Sequence, residues 1–224
     1  MLRAGVPVGI AIPLVRLSGA VVGLVNGVFV AKVKINPFIV TLATLAMVRS
    51  LVLVLCKGVG ISSLPDSFTR FGQGYLFGIQ GPIWAMLVFV VIFDLLLRKS
   101  RYFRQNYYLG GNERSAMLSG INVRKTRIVN FVLIGSLSAI GGMFLTARLG
   151  TASTTAGQGI ELRVISAVII GGASLSGGGG TVIGAMLGAL LVGLINNALN
   201  LVGVGVYLEQ FGIGGGFFLG GGSR

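Results

Sequence analysis

Three stretches of the chain, residues 83–97, 128–147 and 181–202, are long and apolar, and Asp94 is the only charged residue among them. Each approaches the roughly 20 residues a helix needs to cross about 30 Å of hydrocarbon. Charged residues make up 10% of the sequence and hydrophobic ones 54%, where soluble domains carry about 25% charged residues. Such a chain cannot bury its apolar surface in a water-soluble core. It reads as all-α, a polytopic transmembrane helical bundle with about six membrane segments, some of them broken. No polar linker divides it, so residues 1–224 read as a single transmembrane domain.

The net charge of +13 falls between the apolar runs. It therefore sets orientation through the excess of Lys and Arg on the cytoplasmic side. Residues 98–127 hold Arg98, Lys99, Arg101, Arg104, Arg114, Arg124, Lys125 and Arg127 against Glu113 alone, which makes this segment a cytoplasmic loop. Counting outward, Lys32 and Lys34 also fall inside, and the nearly balanced segments 57–81 and 148–163 fall outside. The uncharged 172–180 falls inside. Arg3 and Arg16 fall outside, against the trend. No basic face is interleaved with stacking aromatics, so nucleic acid is not an expected partner.

Catalysis finds no support. Histidine is absent and Cys56 is the single cysteine, which removes imidazole chemistry, disulfides and most metal sites. Asp66, Asp94, Glu113, Glu161 and Glu209 are scattered, with no pair spaced for acid–base work. No metal and no cofactor of the chain's own is expected. Asp94 and Arg98, four apart, read as a local pair at a helix end. Arg16 interrupts the first apolar stretch, so no cleavable signal peptide is expected there.

Local signals divide the chain further. Asn36-Pro37 reads as a helix start, with Asn36 as cap and Pro37 at the first helical position. The helix that follows carries Arg49, which argues for a bundle-buried or broken helix. Residues 57–81 read as an extramembrane loop with a short interfacial helix. Gly19, Gly23 and Gly27 repeat every four residues, as do Gly180, Gly184 and Gly188; this spacing lets helix backbones approach closely in lipid. GGASLSGGGGT (171–181), with Gly171, Gly172 and Gly177, lacks the lysine of a phosphate loop and reads as a hinge or broken-helix turn. Residues 164–170 are too short to cross unless 171–176 continue the helix or neighbouring helices cover it.

Polar groups in the apolar runs are few. Thr41 and Thr44 share one helix face, and Asn196 and Asn200 lie one turn apart. Neutral hydrogen-bonding groups suit an uncharged polyhydroxy solute; interhelical hydrogen bonds explain them equally well. The basic loop holds LGGNERSAMLSGINVRKTRI (109–128). Here Asn112 can cap a helix, Glu113 sits in its favoured first turn, and Gly120 can end it. A helix of about two turns is too short to stand alone and must dock on something.

NPFIVTLAT (36–44), LGGNERSAMLSGINV (109–123), ARLGTASTTAGQGIEL (147–162) and VIIGGASLSGGGGTVIGAMLGALLVGLINNALNLVGV (168–204) resemble the permease subunits of bacterial ABC importers for ribose and related monosaccharides. The resemblance implies a multi-pass inner-membrane subunit that pairs with a second permease copy among membrane lipids. It implies a cytoplasmic ABC ATPase, which consumes the ATP, and a periplasmic sugar-binding protein as partners. It also implies that 98–127 is a coupling loop, with Gly110, Gly111, Asn112, Glu113, Ala116, Met117 and Gly120 meeting the ATPase. Gly120 and Ala116 match the glycine and an alanine of the family's coupling motif; Arg114 and Ser115 replace its usual Glu and Ala. Such permeases carry helices before the equivalent of residue 17 and an apolar helix after that of 207. Here 208–224 is an atypical glycine-rich tail. The alternatives are a truncated, inactive chain and a carrier or channel not driven by ATP.

Overall fold

The computed structural model describes residues 7–62, 64–175 and 177–203; the glycine-rich tail lies outside them. Five of the helices are long and apolar enough to cross a membrane. The chain divides into two compact units, one comprising the residues up to Met86 with Asn122–Ala156, the other Leu87–Ile121 with the residues from Gly157 onward.

In the first unit α1 (Val8–Val28) starts after Pro7, runs through Pro13 and continues as a π-helical turn, Phe29–Val33. Arg16 therefore lies inside a helix. The turn ends on Lys34 in a left-handed conformation, φ 63°. α2 (Pro37–Cys56) then opens as its sequence predicts, with Asn36 Oδ1 accepting the Phe38 N–H at 2.9 Å and Pro37 in the first turn. α2 is unbroken, and Arg49 is half-buried on it.

α3 (Asp66–Gln73) buries Phe68 and lays Gly72 against Ala147 and Arg148 of α7 (Val123–Leu149). The Gln73 side-chain amide reinforces that contact by donating to the Arg148 carbonyl at 3.1 Å. Two short strands follow, β1 (Tyr75–Leu76) and β2 (Ile79–Gln80), paired antiparallel. α4 (Gly81–Lys99) begins directly after them and runs on into the second unit.

α7 is capped by Asn122, whose Oδ1 accepts from Lys125 N at 3.1 Å. Its 27 residues extend about 40 Å at 1.5 Å per residue, more than the hydrocarbon thickness. Its contact with α1 is made through glycine. Gly19 faces Gly135, Gly23 faces the Phe131 carbonyl, and a methyl group at Gly27 would lie 2.9 Å from Ile128 Cα. Here the four-residue glycine spacing brings two backbones together without side chains between them.

The second unit holds the rest of α4, α5 (Arg101–Gly111), α6 (Glu113–Leu118), α8 (Ile160–Ile170) and α9 (Val182–Leu201). α8 and α9 pack through glycine as well: Gly184 meets the Gly171 carbonyl and Gly188 meets the Ala167 carbonyl. Thr181 caps α9, its Oγ1 accepting from Gly184 N at 3.0 Å.

Among the described residues five helices, against the expected six or so segments, are long and apolar enough to cross by themselves. α8 has 11 residues and spans about 16 Å, half of what a crossing needs. It does not continue into the following glycines, because Gly172, Gly177, Gly178 and Gly180 all have positive φ, which a right-handed helix cannot accommodate.

Candidate functional site

The polar loop of the second unit builds a short, tightly delimited helix. Asn112 is extended and its Oδ1 accepts from Ser115 N at 3.1 Å, closing the first turn of α6. Glu113 stands in that turn, where its charge meets the positive helix end. At the other end Gly120 adopts φ 80°. Gly120 N bonds Met117 O at 3.0 Å and Ile121 N bonds Ala116 O at 3.1 Å. This pair of crossed bonds is a Schellman cap, which needs a residue at ease in the left-handed region. The sequence thus dictates both ends of the element.

Its faces differ. Ala116 is buried, while Met117 is 51% and Leu118 90% exposed. Arg114 and Ser115 are exposed too. α6 therefore presents an apolar pair beside a cation, and Leu118 protrudes further than Met117, a point the sequence pattern did not rank.

The two glycines ahead of α6 have separate surroundings. Gly111 faces open space, but Gly110 rests on the backbone of Gly177 and Gly178. Beside it, the Tyr107 hydroxyl donates to the Gly180 carbonyl at 2.8 Å. The end of α5 is thereby held against the glycine turn that joins α8 to α9. Tyr107 thus spends its hydroxyl on protein backbone. Helix α5 itself was hidden by its basic, mixed composition. Its start packs by aromatic edges, with Phe103 against Phe93 at 6.4 Å and against Tyr102 at 5.9 Å between ring centroids. Asp94 pairs with Arg98 at 2.7 Å, one turn apart at the end of α4.

The hinge candidates gather around the same turn. Gly171, Gly184 and Gly188 form the close α8–α9 approach, Gly177 lies on Gly110, and Gly180 lies against Ala173. Gly172 faces open space with φ 85°.

The pathway candidates fall into both units. Thr41 in the first donates back to its own helix, to Pro37 O at 2.9 Å and Phe38 O at 3.1 Å. Thr44 donates to Asn26 Oδ1 of α1 at 2.6 Å, and Asn26 is buried. This is an interhelical hydrogen bond, and it adds Asn26 to the polar positions. In the second unit, Asn196 is half-buried and Asn200 exposed on α9.

Residues 1–218 match the family described as "branched-chain amino acid transport system / permease component". The chain is 41% identical over 214 residues to the ribose import permease protein of Haemophilus influenzae, covering 94% of this chain and 66% of that protein. It is 43% identical over 211 residues to the ribose import permease protein of Bacillus subtilis, covering 93% and 66%. It is 40% identical over 185 residues to an L-arabinose transport system permease protein of Escherichia coli, covering 83% and 56%. The chain thus spans just under two thirds of the length of the ribose permeases it matches. No solved structure matches it. With five apolar helices of crossing length and a match running over nearly its whole length, the chain belongs to this family of membrane-transport permease components.

Proposed function

We propose that the chain is the membrane-spanning permease of an ATP-binding-cassette importer that carries a monosaccharide, ribose or a close relative, across the bacterial inner membrane. The observation that carries this reading is the 41% identity with a ribose import permease over 94% of the chain. The polar inventory agrees with a sugar over an amino acid, although the family's description names amino acids. A zwitterion's ammonium group calls for a carboxylate. The one acid in the five long helices is Asp94, which is bonded to Arg98. Thr41, Thr44, Asn196 and Asn200 offer neutral donors and acceptors instead, as a hydroxyl-rich solute requires.

In this reading the protein is a translocator and not an enzyme. A cytoplasmic ATPase consumes the ATP, a periplasmic sugar-binding protein delivers the solute, and a second permease copy completes the pore. α6 is the element the ATPase grips, through exposed Met117 and Leu118. Its displacement passes along the Gly110 contact and the Tyr107–Gly180 hydrogen bond to the turn that joins α8 and α9.

The test is reconstitution with a cognate ATPase and sugar binder in vesicles. Ribose is expected to accumulate only with ATP. Met117→Glu and Gly120→Arg are expected to lose both ATPase capture and uptake while still inserting. Uptake indifferent to ATP, or ATPase capture indifferent to both substitutions, would overturn the proposal.

A further inference from the structure

The β1–β2 hairpin carries an apolar tip that its own turn does not favour. The loop is two residues, Phe77 and Gly78, with φ 53° and 77°. Positive φ at both central positions is what a type I′ turn requires, and Asn-Gly is the sequence that meets it most easily. An aromatic residue in the left-handed region costs conformational energy, since its Cβ crowds the backbone. Phe77 accepts that cost and is 90% exposed, with Tyr75 at 69% and Leu76 at 59% around it. The Tyr75 hydroxyl accepts from the Gln80 side-chain amide at 3.3 Å, while the Phe77 ring stays exposed.

The hairpin is not a loose loop. Two-stranded ribbons are marginal by themselves, and this one is tied at both ends. Gly81 N bonds Gly74 O at 2.9 Å, closing its base. Trp84, in the first turns of α4, donates its indole N–H to the Leu76 carbonyl at 3.1 Å. The tip is thus fixed relative to the start of a membrane-crossing helix. No charged residue occurs from Phe71 through Phe93, so the uncharged hairpin is continuous with the uncharged helix.

We propose that the Tyr75–Leu76–Phe77 tip is an anchor that inserts into the lipid interface beside the start of α4. Its uncharged continuity with α4 selects lipid over a charged protein partner. Tyr and Trp at the ends of crossing helices favour the headgroup level, where an amphipathic ring meets both phases. The outward backbone groups of a two-stranded ribbon still need water or headgroup partners, so the tip stops at the acyl boundary and does not enter the hydrocarbon core. The anchor fixes the α3–hairpin segment at the membrane surface whatever solute the protein carries.

The test uses the full chain with Cys56→Ser, which removes the single cysteine, and Phe77→Cys labelled with an NBD maleimide. It is reconstituted in phosphatidylcholine–phosphatidylglycerol vesicles with iodide available on both sides. NBD intensity is expected to fall most with a nitroxide lipid labelled near the acyl carbonyl, less with one labelled at the chain end, and little with iodide. A Thr155→Cys label, on an exposed loop, is expected to show the reverse. Quenching of residue 77 by iodide alone would mean a tip in water and overturn the proposal. Protection from iodide and lipid alike would mean a covering second copy and overturn it too. Phe77→Asn, which suits the turn, should retain the fold and shift Trp84 emission to the red as the anchor releases; unchanged emission would overturn the anchoring role.

Discussion

Gly23 and Gly141 are both helical glycines in apolar surroundings, yet a methyl group added to each meets different things. At Gly23 it runs into the Phe131 carbonyl, which is backbone and cannot rotate away. At Gly141 it meets nothing within 4 Å. Gly23→Ala therefore forces α1 and α7 apart, and overpacking of this kind costs about 1–3 kcal/mol. Gly141→Ala removes backbone freedom at no steric cost and is expected to be neutral or to stabilise by up to ~1 kcal/mol. Denaturation midpoints of the two variants in detergent, against the parent, measure this directly. Equal midpoints would show that the glycine seam does not hold these helices together. The four-residue spacing points to a seam in the sequence, but it does not reveal the partner. Gly19, Gly23 and Gly27 meet α7, more than a hundred residues onward, and no local pattern encodes that pairing.

At the scale of an element, α6 is almost wholly legible from its residues. Asn112, Glu113 and Gly120 act through backbone geometry that depends on near neighbours, so cap chemistry read along the chain carries over intact. α5 and the hairpin were not legible for the opposite reason. α5 has a mixed, basic sequence and owes its place to Phe93 and to the glycine turn, both distant in sequence. The hairpin has Phe where its turn favours Asn, so the usual turn signal is missing. The sixth segment is as short as 164–170 suggests: α8 stops at Ile170 and covers only about half the hydrocarbon by itself. Because α6 has only six residues, its cap is a large part of its stability. Asn112→Ala should cost ~1 kcal/mol of local stability, and a loss of that size speeds amide exchange about fivefold. Hydrogen exchange is expected to rise over 113–118 while the amides of α9 keep their protection. Exchange unchanged over 113–118 would mean that α6 is held by docking and not by its caps.

For the whole molecule, charge and length together define a crossing pattern that can be measured. By the excess of Lys and Arg, the segment 98–127 is expected on the cytoplasmic side. The Tyr107–Gly180 hydrogen bond brings the glycine turn to the same side as the end of α5. α7, with 27 residues, is long enough to carry the chain across, which leaves Thr155 outside. Between there and Leu175 the only helix is α8, whose 11 residues cover about half the hydrocarbon thickness. The remaining distance has to be covered by the non-helical residues 151–159, and irregular backbone at that depth is tolerated only where protein or a water-filled cavity satisfies it. Two cysteine variants in a Cys56→Ser background separate this pattern from a simple loop on one side. Thr155 and Leu175 are both exposed. Thr155→Cys is expected to react with a membrane-impermeant maleimide in right-side-out vesicles, and Leu175→Cys only in inverted ones. Reaction of both from the same face would mean that α8 returns without crossing, against the Tyr107–Gly180 hydrogen bond that holds the glycine turn to the end of α5. The first outcome requires 151–170 to cross as a half-helix joined to extended chain, whose free backbone groups must then be satisfied by protein or by water.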